Sequence, residues 1–189
     1  LRDAARKKHH PWALFKWAEY FFENAAKGDD FKKGFDACFR AAELGLPEAQ
    51  FNLGVMFEDG LGVEQNLKNA AIWYRRAATN GDERAMNNLG NLYRHGKGVD
   101  KDELKARAFY TLAAENNSTF AQFNLGLLHT EGSNTNSTKV QALSLFLPSY
   151  FQGSSKAKSF INAFIMKIPI KNIIRATQNA KRFFVQKES

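Results

Sequence analysis

One tripeptide returns along the chain at a fixed spacing, and this repetition restricts the fold more than any other feature of the sequence. The tripeptide is found at steps of 36 residues, as Asn52-Leu53-Gly54, Asn88-Leu89-Gly90 and Asn124-Leu125-Gly126. Small and aromatic residues keep the same step, namely Ala49, Ala85 and Ala121, Gly60, Gly96 and Gly132, Ala70, Ala106 and Ala142, and Tyr74, Tyr110 and Phe146. Agreement at several independent positions indicates an array of structural repeats.

Each unit of the array has the pattern of two helices. Small and apolar residues recur at helical spacing over Glu48–Glu58 and again over Asn69–Thr79. Between these segments, Gly60 and Gly62 predict a break, because glycine readily takes a positive φ at the end of a helix. A single helix pair buries its apolar side only against neighbouring pairs, so the sequence predicts an all-α stack of helix pairs.

These residues resemble a known repeat family. The pattern Ala-x3-Leu-Gly-x2-aromatic-x2-Gly-x-Gly-Val, followed by Ala-x2-Trp-Tyr-x2-Ala-Ala-x2-Gly, is similar to the Sel1-like repeat, a longer relative of the tetratricopeptide repeat. The match is close over Ala49–Gly81 and Ala85–Asn117, and weaker over Ala121–Gly153. The resemblance implies a right-handed α/α superhelical solenoid with helical caps at both ends. It also implies a non-catalytic scaffold or adaptor, from a family common in bacterial proteins of host interaction and signalling.

The repeat and the charge divide the chain into three expected parts. We expect a degenerate N-terminal repeat or cap over residues 1–46, repeats over 47–81, 82–117 and 118–153, and a basic helical extension over 154–189. Residues 1–153 hold 19 Lys and Arg against 18 Asp and Glu, whereas residues 154–189 hold eight against one. A nucleic-acid-binding domain would carry basic charge across its body, so we expect no nucleic-acid partner.

The resemblance also implies where a partner protein or peptide would bind, since first helices line the concave face of such solenoids. The candidate contact residues are Phe51, Asn52, Asn87, Asn88, Asn91, Arg94, Phe123 and Asn124. Two interpretations of the repeated asparagines stay open, because their amides could hold the main chain of a bound peptide or could bond a neighbouring carbonyl within the repeat. The two phenylalanines likewise either contact a partner or are buried between adjacent first helices.

The C-terminal extension combines an apolar stripe at helical spacing with a basic side, and Pro169 interrupts it. Its basic residues are Lys167, Lys171, Arg175, Lys181 and Arg182. One interpretation is a cap that covers the last helix pair. The other is a basic amphipathic helix that binds an anionic membrane surface or an acidic partner. The two are compatible, because a cap buries one side of a helix and leaves the other side exposed.

The sequence contains no motif of a catalytic or cofactor site, such as a P-loop, a nucleophile elbow or a zinc-protease helix. The single cysteine, Cys38, lies on an apolar helical stripe, and we interpret it as a small core residue. We therefore expect no enzyme activity, no cofactor and no metal. One cysteine suits a reducing compartment, so a cytoplasmic location is expected, with a secreted effector or a periplasmic protein as alternatives. The alternative functions are a secreted effector or immunity-type binder, or a peripheral membrane protein that uses the basic extension.

Overall fold

The structure is a computed structural model that describes residues 10–24, 28–132, 135–165 and 168–185. Its helices are α1 Pro11–Glu23, α2 Gly28–Glu43, α3 Pro47–Asp59, α4 Leu67–Thr79, α5 Glu83–His95, α6 Glu103–Glu115, α7 Thr119–Gly132, α8 Asn136–Phe151, α9 Ser155–Ile165 and α10 Ile170–Val185. These residues contain no strand, which confirms the all-α prediction. None of the helices described has the length and apolar character needed to span a bilayer.

The contacts within the chain define two compact units, Leu1–Ala106 and Arg107–Ser189, which we call the N-terminal unit and the C-terminal unit. In the N-terminal unit, helices α1 to α5 pack in chain order, each against the next. In the C-terminal unit, α8 packs against α7, α9 and α10. The helix pairs predicted from the repeat, α3 with α4 and α7 with α8, are thus present in both units.

Three helices at steps of 36 residues begin with the same cap. The side-chain oxygens of Asp82, Ser118 and Ser154 accept hydrogen bonds from the backbone nitrogens three residues later, at 2.9, 3.4 and 3.3 Å. Such a bond satisfies one of the backbone donors that the first turn of a helix leaves without an internal partner. The cap at Ser154 places α9 in the register of α5 and α7, so the repeat step continues past residue 153.

The predicted break between the helices of a pair lies where the glycines indicated. Gly60 has a φ of 73° and Gly62 a φ of 72°, both in the left-handed region that favours glycine. A Cβ atom on Gly62 would also collide with the backbone carbonyl of Phe31. Conformation and space therefore both require glycine at Gly62.

Small residues in the N-terminal unit let helices approach closely around large aromatic rings. Ala49, Leu53, Ala70 and Tyr74 are completely buried. A Cβ atom built on Gly54 of α3 would lie 2.5 Å from Cδ1 of Tyr74 on α4, too close for any real side chain. The helix pair depends on this glycine, because contacts in a packed core leave no room for an added carbon.

The core of the C-terminal unit shows what the basic extension does. Buried side chains of α8, including Phe146, pack with residues that follow it in the chain, namely Ile161, Ile168, Ala176 and Ala180. The extension therefore covers α8, which confirms the cap interpretation, and α10 begins directly after Pro169 as the sequence predicted. Lys171 and Arg175 are exposed. Lys167 and the side chains of Lys181 and Arg182 lie outside the described residues.

Candidate functional site

Most of the predicted contact residues lie on α3 and α5, the first helices of two successive repeats in the N-terminal unit. Phe51, Asn52, Asn88, Asn91 and Arg94 are half-buried there. We call the surface that these five residues form with Glu48 and Arg84 the α3–α5 face. A sixth predicted residue, Asn87, is only 8% exposed, so a partner would reach little of its side chain.

A chain of hydrogen bonds ties the two repeats together through a buried tyrosine. The hydroxyl of Tyr74 donates to Glu58 Oε2 at 2.6 Å. The Asn88 side chain bonds the same hydroxyl, and Asn87 Nδ2 donates to Asn88 Oδ1 at 3.3 Å. Burial, followed by the bond to Glu58, raises the pKa of Tyr74 far above its usual range, so the hydroxyl keeps its proton. We call Glu58, Tyr74 and Asn88 the tyrosine junction.

The tyrosine junction bears on the two interpretations of the repeated asparagines. At Asn88 the structure fits the second interpretation, in which the amide helps to fold the repeat, although it bonds a tyrosine hydroxyl and not a carbonyl. Asn52 differs, since its half-buried side chain forms no hydrogen bond within the described part of the chain. The residue 36 positions before Tyr74 is Cys38, whose buried thiol donates to the carbonyl of Ala49 at 3.4 Å. No hydroxyl is present at that position to engage Asn52.

Glu48 lies one turn before Asn52 on α3, and one of its carboxylate oxygens lacks a partner. Its Oε2 is buried and has no hydrogen bond within the described residues. The carboxylate lies near Arg84 of α5, whose pKa is raised mainly by a hydrogen bond to Asp82 and further by the charge of Glu48. The Arg84 guanidinium bonds Asp82 Oδ2 at 2.6 Å, which holds it in place.

Phe51 packs between residues of its two neighbouring helices. Its ring centroid is 5.9 Å from that of Tyr74 on α4, and the Arg84 guanidinium lies 4.2 Å from it. The ring contact is with the second helix of the same pair and the arginine contact is with the next first helix, and Phe51 is half-buried between them. Part of the ring stays accessible, so an aromatic side chain and an arginine lie side by side on the α3–α5 face.

The remaining predicted residues, Phe123 and Asn124, lie on α7 in the C-terminal unit, and both are half-buried. The Phe123 ring is 5.3 Å from Phe146 and 5.5 Å from Phe160 of α9, and the last two rings are 5.8 Å apart. We call Phe123, Phe146 and Phe160 the aromatic junction. Phe120, also on α7, is far more accessible, with 78% of its surface exposed.

The chemistry of the described side chains offers little for catalysis. Burial raises the pKa of the Cys38 thiol to about 12, and only 1% of the residue is exposed. A thiol in this state is not a nucleophile at neutral pH, which agrees with its interpretation as a core residue. Within the described ranges, no group of three or more His, Cys, Asp or Glu side chains is arranged to hold a metal ion.

Comparison with known families and structures agrees with this architecture. The profile of the Sel1 repeat matches residues 47–82, 83–118 and 119–148, which together are more than half of the chain. The chain is 27% identical to a Sel1 repeat protein from Oxalobacter formigenes, with a TM-score of 0.74 over 92% of this chain and 73% of that one. It is 23% identical to a protective antigen of uropathogenic Escherichia coli that displays an SLR fold. The TM-score is 0.65 over 94% of this chain and 47% of the antigen, and this likeness shows the fold alone.

One curated relative is similar over a shorter stretch. Over a stretch of 49 residues, the chain is 45% identical to a chitin synthase regulator of Saccharomyces cerevisiae. That stretch is 26% of this chain but 7% of the regulator. The likeness to the Oxalobacter structure confirms the solenoid fold class that the repeat predicted. On the sequence match and the helix pairs together, the chain belongs to the Sel1 repeat family, whose members are typically scaffolds for protein interaction and generally not catalysts.

Proposed function

We propose that this chain is a non-catalytic scaffold that binds an extended segment of a partner protein on the α3–α5 face. The observation that carries the proposal is a pair of polar side chains one turn apart on α3 that have hydrogen-bonding groups left over by the repeat itself. Glu48 Oε2 is buried without a hydrogen bond, and the Asn52 amide has none within the described chain. Native proteins leave few buried polar atoms such as Glu48 Oε2 without a partner, so this one calls for an explanation, whereas the half-buried Asn52 amide is open to solvent.

A bound peptide main chain would satisfy both groups. A polar atom removed from water without a bond costs about 1–3 kcal/mol, and Glu48 regains it if its half-buried carboxylate turns toward a backbone N–H of the ligand. The Glu48 carboxylate can accept a backbone N–H, while the Asn52 amide can donate to a carbonyl and accept from an N–H. An extended segment presents these groups at regular intervals along one edge, and that pattern matches a carboxylate and an amide on one side of a helix.

The neighbouring side chains are of the types that contribute most to protein interfaces. Aromatic residues and arginine are enriched among residues whose truncation weakens binding strongly. Phe51 and Arg84 supply both in direct contact, and the bond to Asp82 fixes the guanidinium before a partner arrives. An arginine held in this way loses little conformational freedom on binding.

Site-specific photo-crosslinking would identify the partner and the face together. A benzoylphenylalanine placed at Asn52 should capture a protein that the same probe at Ile72, an exposed residue of α4, does not capture. The captured protein would be identified by mass spectrometry and then purified. Capture from Ile72 and not from Asn52 would place the interface elsewhere and contradict the proposal.

Affinity measurements would then test the two polar groups directly. The variant with Glu48→Ala and Asn52→Ala should bind the purified partner about 30-fold more weakly, because two main-chain bonds of roughly 1 kcal/mol each are lost. The matched control changes Glu64 and Lys68, both exposed, to Ala and should bind as the wild type does. Equal affinity of the two double variants would rule out a role for Glu48 and Asn52 in binding.

A further inference from the structure

The outer side of α10 carries exposed aliphatic and basic residues together. Ile170 is 77% exposed and Ile174 is 55% exposed, although isoleucine is among the residues most often buried in proteins. Lys171 and Arg175, each one position further along, are exposed as well. Both pairs are spaced by four residues, so the four side chains lie along one face of the helix.

This face is distinct from the side of α10 that forms the cap. Ala176 and Ala180 are buried against the core of the C-terminal unit, with Ile173 packed beside them. The sequence assigned both the cap and the membrane-binding alternative to one apolar stripe, and the structure divides that stripe. Capping α8 uses the buried side, whereas Ile170 and Ile174 contribute nothing to that core.

The charge around this face has one sign. Residues 132–187 contain nine Lys and Arg and no Asp or Glu. Within the described residues neither Lys171 nor Arg175 forms an ion pair, so no described acidic residue neutralises either charge. A surface of this kind attracts anions, and clustered basic residues on an amphipathic helix are typical of contact with anionic lipids.

We propose that the outer face of α10 binds the surface of an anionic lipid bilayer. Exposed isoleucines that project from a single helix, with basic residues beside them, suit the boundary between headgroups and acyl chains. That boundary is fluid and accepts a projecting aliphatic group without a preformed pocket. An acidic protein would have to supply a matched apolar pocket in addition to its charge, and for this reason the bilayer is the occupant that the face favours.

Vesicle sedimentation of the full chain tests the proposal. The wild type should pellet with phosphatidylcholine vesicles that contain phosphatidylserine and stay in solution with phosphatidylcholine alone, and added salt should weaken binding. Lys171→Gln with Arg175→Gln should reduce partitioning about 30-fold, since each basic residue near an anionic surface contributes roughly a five-fold factor. The matched control, Lys97→Gln with Lys101→Gln, removes two exposed lysines of the N-terminal unit and should bind normally.

The isoleucines separate a bilayer from an acidic protein. Ile170→Asn with Ile174→Asn should reduce partitioning about ten-fold or more while the salt dependence stays, because the charges are intact. If that variant melts at a lower temperature, Ile170→Asn alone is compared, since this residue is the more exposed of the two. Asn52→Ala should pellet as the wild type does, so this experiment is independent of the α3–α5 face.

Three outcomes would overturn the proposal. The first is a wild type that does not pellet with phosphatidylserine vesicles. The second is equal loss of binding in the Lys97 and Lys101 control, which would show attraction by overall charge alone. The third is an isoleucine variant that binds as the wild type does while the Lys171 and Arg175 variant does not, which would assign the face to an acidic partner without membrane insertion.

Discussion

The tyrosine junction and the aromatic junction place opposite chemistry in the same position of the repeat. Tyr74 and Phe146 are two steps of 36 residues apart, and both are completely buried. In the N-terminal unit the Tyr74 hydroxyl joins Glu58 and Asn88. In the C-terminal unit Phe146 has no hydroxyl and contacts two other rings. One backbone arrangement thus accepts either a polar link or an apolar cluster.

The members of each junction change together. Two steps after Asn88 the chain has Phe160, and two steps after Glu58 it has Thr130. A coordinated change is expected, because a buried hydroxyl or amide that loses its partner costs more than the bond itself contributed. The glycine beside each ring does not change, and a Cβ on Gly126 would lie 2.6 Å from Phe146 Cε1. The repeat therefore fixes the space around the ring and leaves its chemistry open.

Removing the ring of the aromatic junction should have the largest effect on stability. Phe146→Ala would leave a cavity in the core of the C-terminal unit and lower the free energy of unfolding by about 4 kcal/mol. Urea unfolding followed by circular dichroism would measure the loss. Phe120→Ala is the matched control, because 78% of that residue is already exposed and its removal leaves no cavity. Similar losses from the two substitutions would show that Phe146 is not a core residue.

Filling the space beside either ring should have the next largest effect. Gly54→Leu and Gly126→Leu should each lower the free energy of unfolding by about 3 kcal/mol, because the added side chain must displace a buried ring. Asp59→Leu, an exposed change on the same helix as Gly54, should cost much less. Thermal melting that is unchanged in both glycine variants would mean that the helices are not in the close contact described.

The sequence was sufficient to predict the fold, because the repeated residues are those on which close helix packing and the breaks between helices depend. Small residues at the helix contacts and glycines at the breaks recur with the 36-residue step, and each has a local physical reason to be there. The helix pairs and the break at Gly60 follow from these local signals, whereas for the C-terminal extension the cap was one of two interpretations that the sequence left open. The cap of α9 was not predicted, since only Ser154 and Ala157 still keep the step there.

The sequence was less informative about the site, because the role of a residue depends on the side chain opposite to it. Asn52 and Asn88 are equivalent in sequence, yet Asn88 is engaged by Tyr74, whereas the residue one step before Tyr74 is Cys38, which has no hydroxyl. A signal was available, since Tyr74 and Asn88 recur as Tyr110 and Asn124, and the next step has Phe at both positions. Comparing which positions of the repeat change together would have suggested the contact between Tyr74 and Asn88. The carboxylate of Glu48 that lacks a hydrogen bond had no such signal.

Exchanging the hydroxyl between the two junctions should have an intermediate effect. Tyr74→Phe would leave half-buried Glu58 and Asn88 without their shared partner and lower the free energy of unfolding by about 2 kcal/mol. Phe146→Tyr should also destabilise the chain, because its neighbours Phe123 and Phe160 offer no hydrogen-bond partner. Calorimetry would measure both variants. A stable Phe146→Tyr variant would show that the aromatic junction tolerates a polar group, and the contrast between the junctions would disappear.

The smallest predicted effect on stability concerns Asn52 and Asn88, and it tests whether each asparagine stabilises the repeat or is available to bind a partner. Asn88→Ala should lower the free energy of unfolding by about 1 kcal/mol, because one bond to the Tyr74 hydroxyl is lost. Asn52→Ala should change it by no more than about 0.5 kcal/mol, as surface substitutions without such a bond do. The double variant with Asn88→Ala and Tyr74→Phe should lose less free energy of unfolding than the two single variants added together, because both changes remove the same link. Urea unfolding of the wild type, the two single variants and the double variant measures that coupling. If the two losses in free energy of unfolding are strictly additive, Asn88 and Tyr74 are not linked. If Asn52→Ala costs as much as Asn88→Ala, the asparagine stabilises every repeat, and the α3–α5 face has no amide available for a partner.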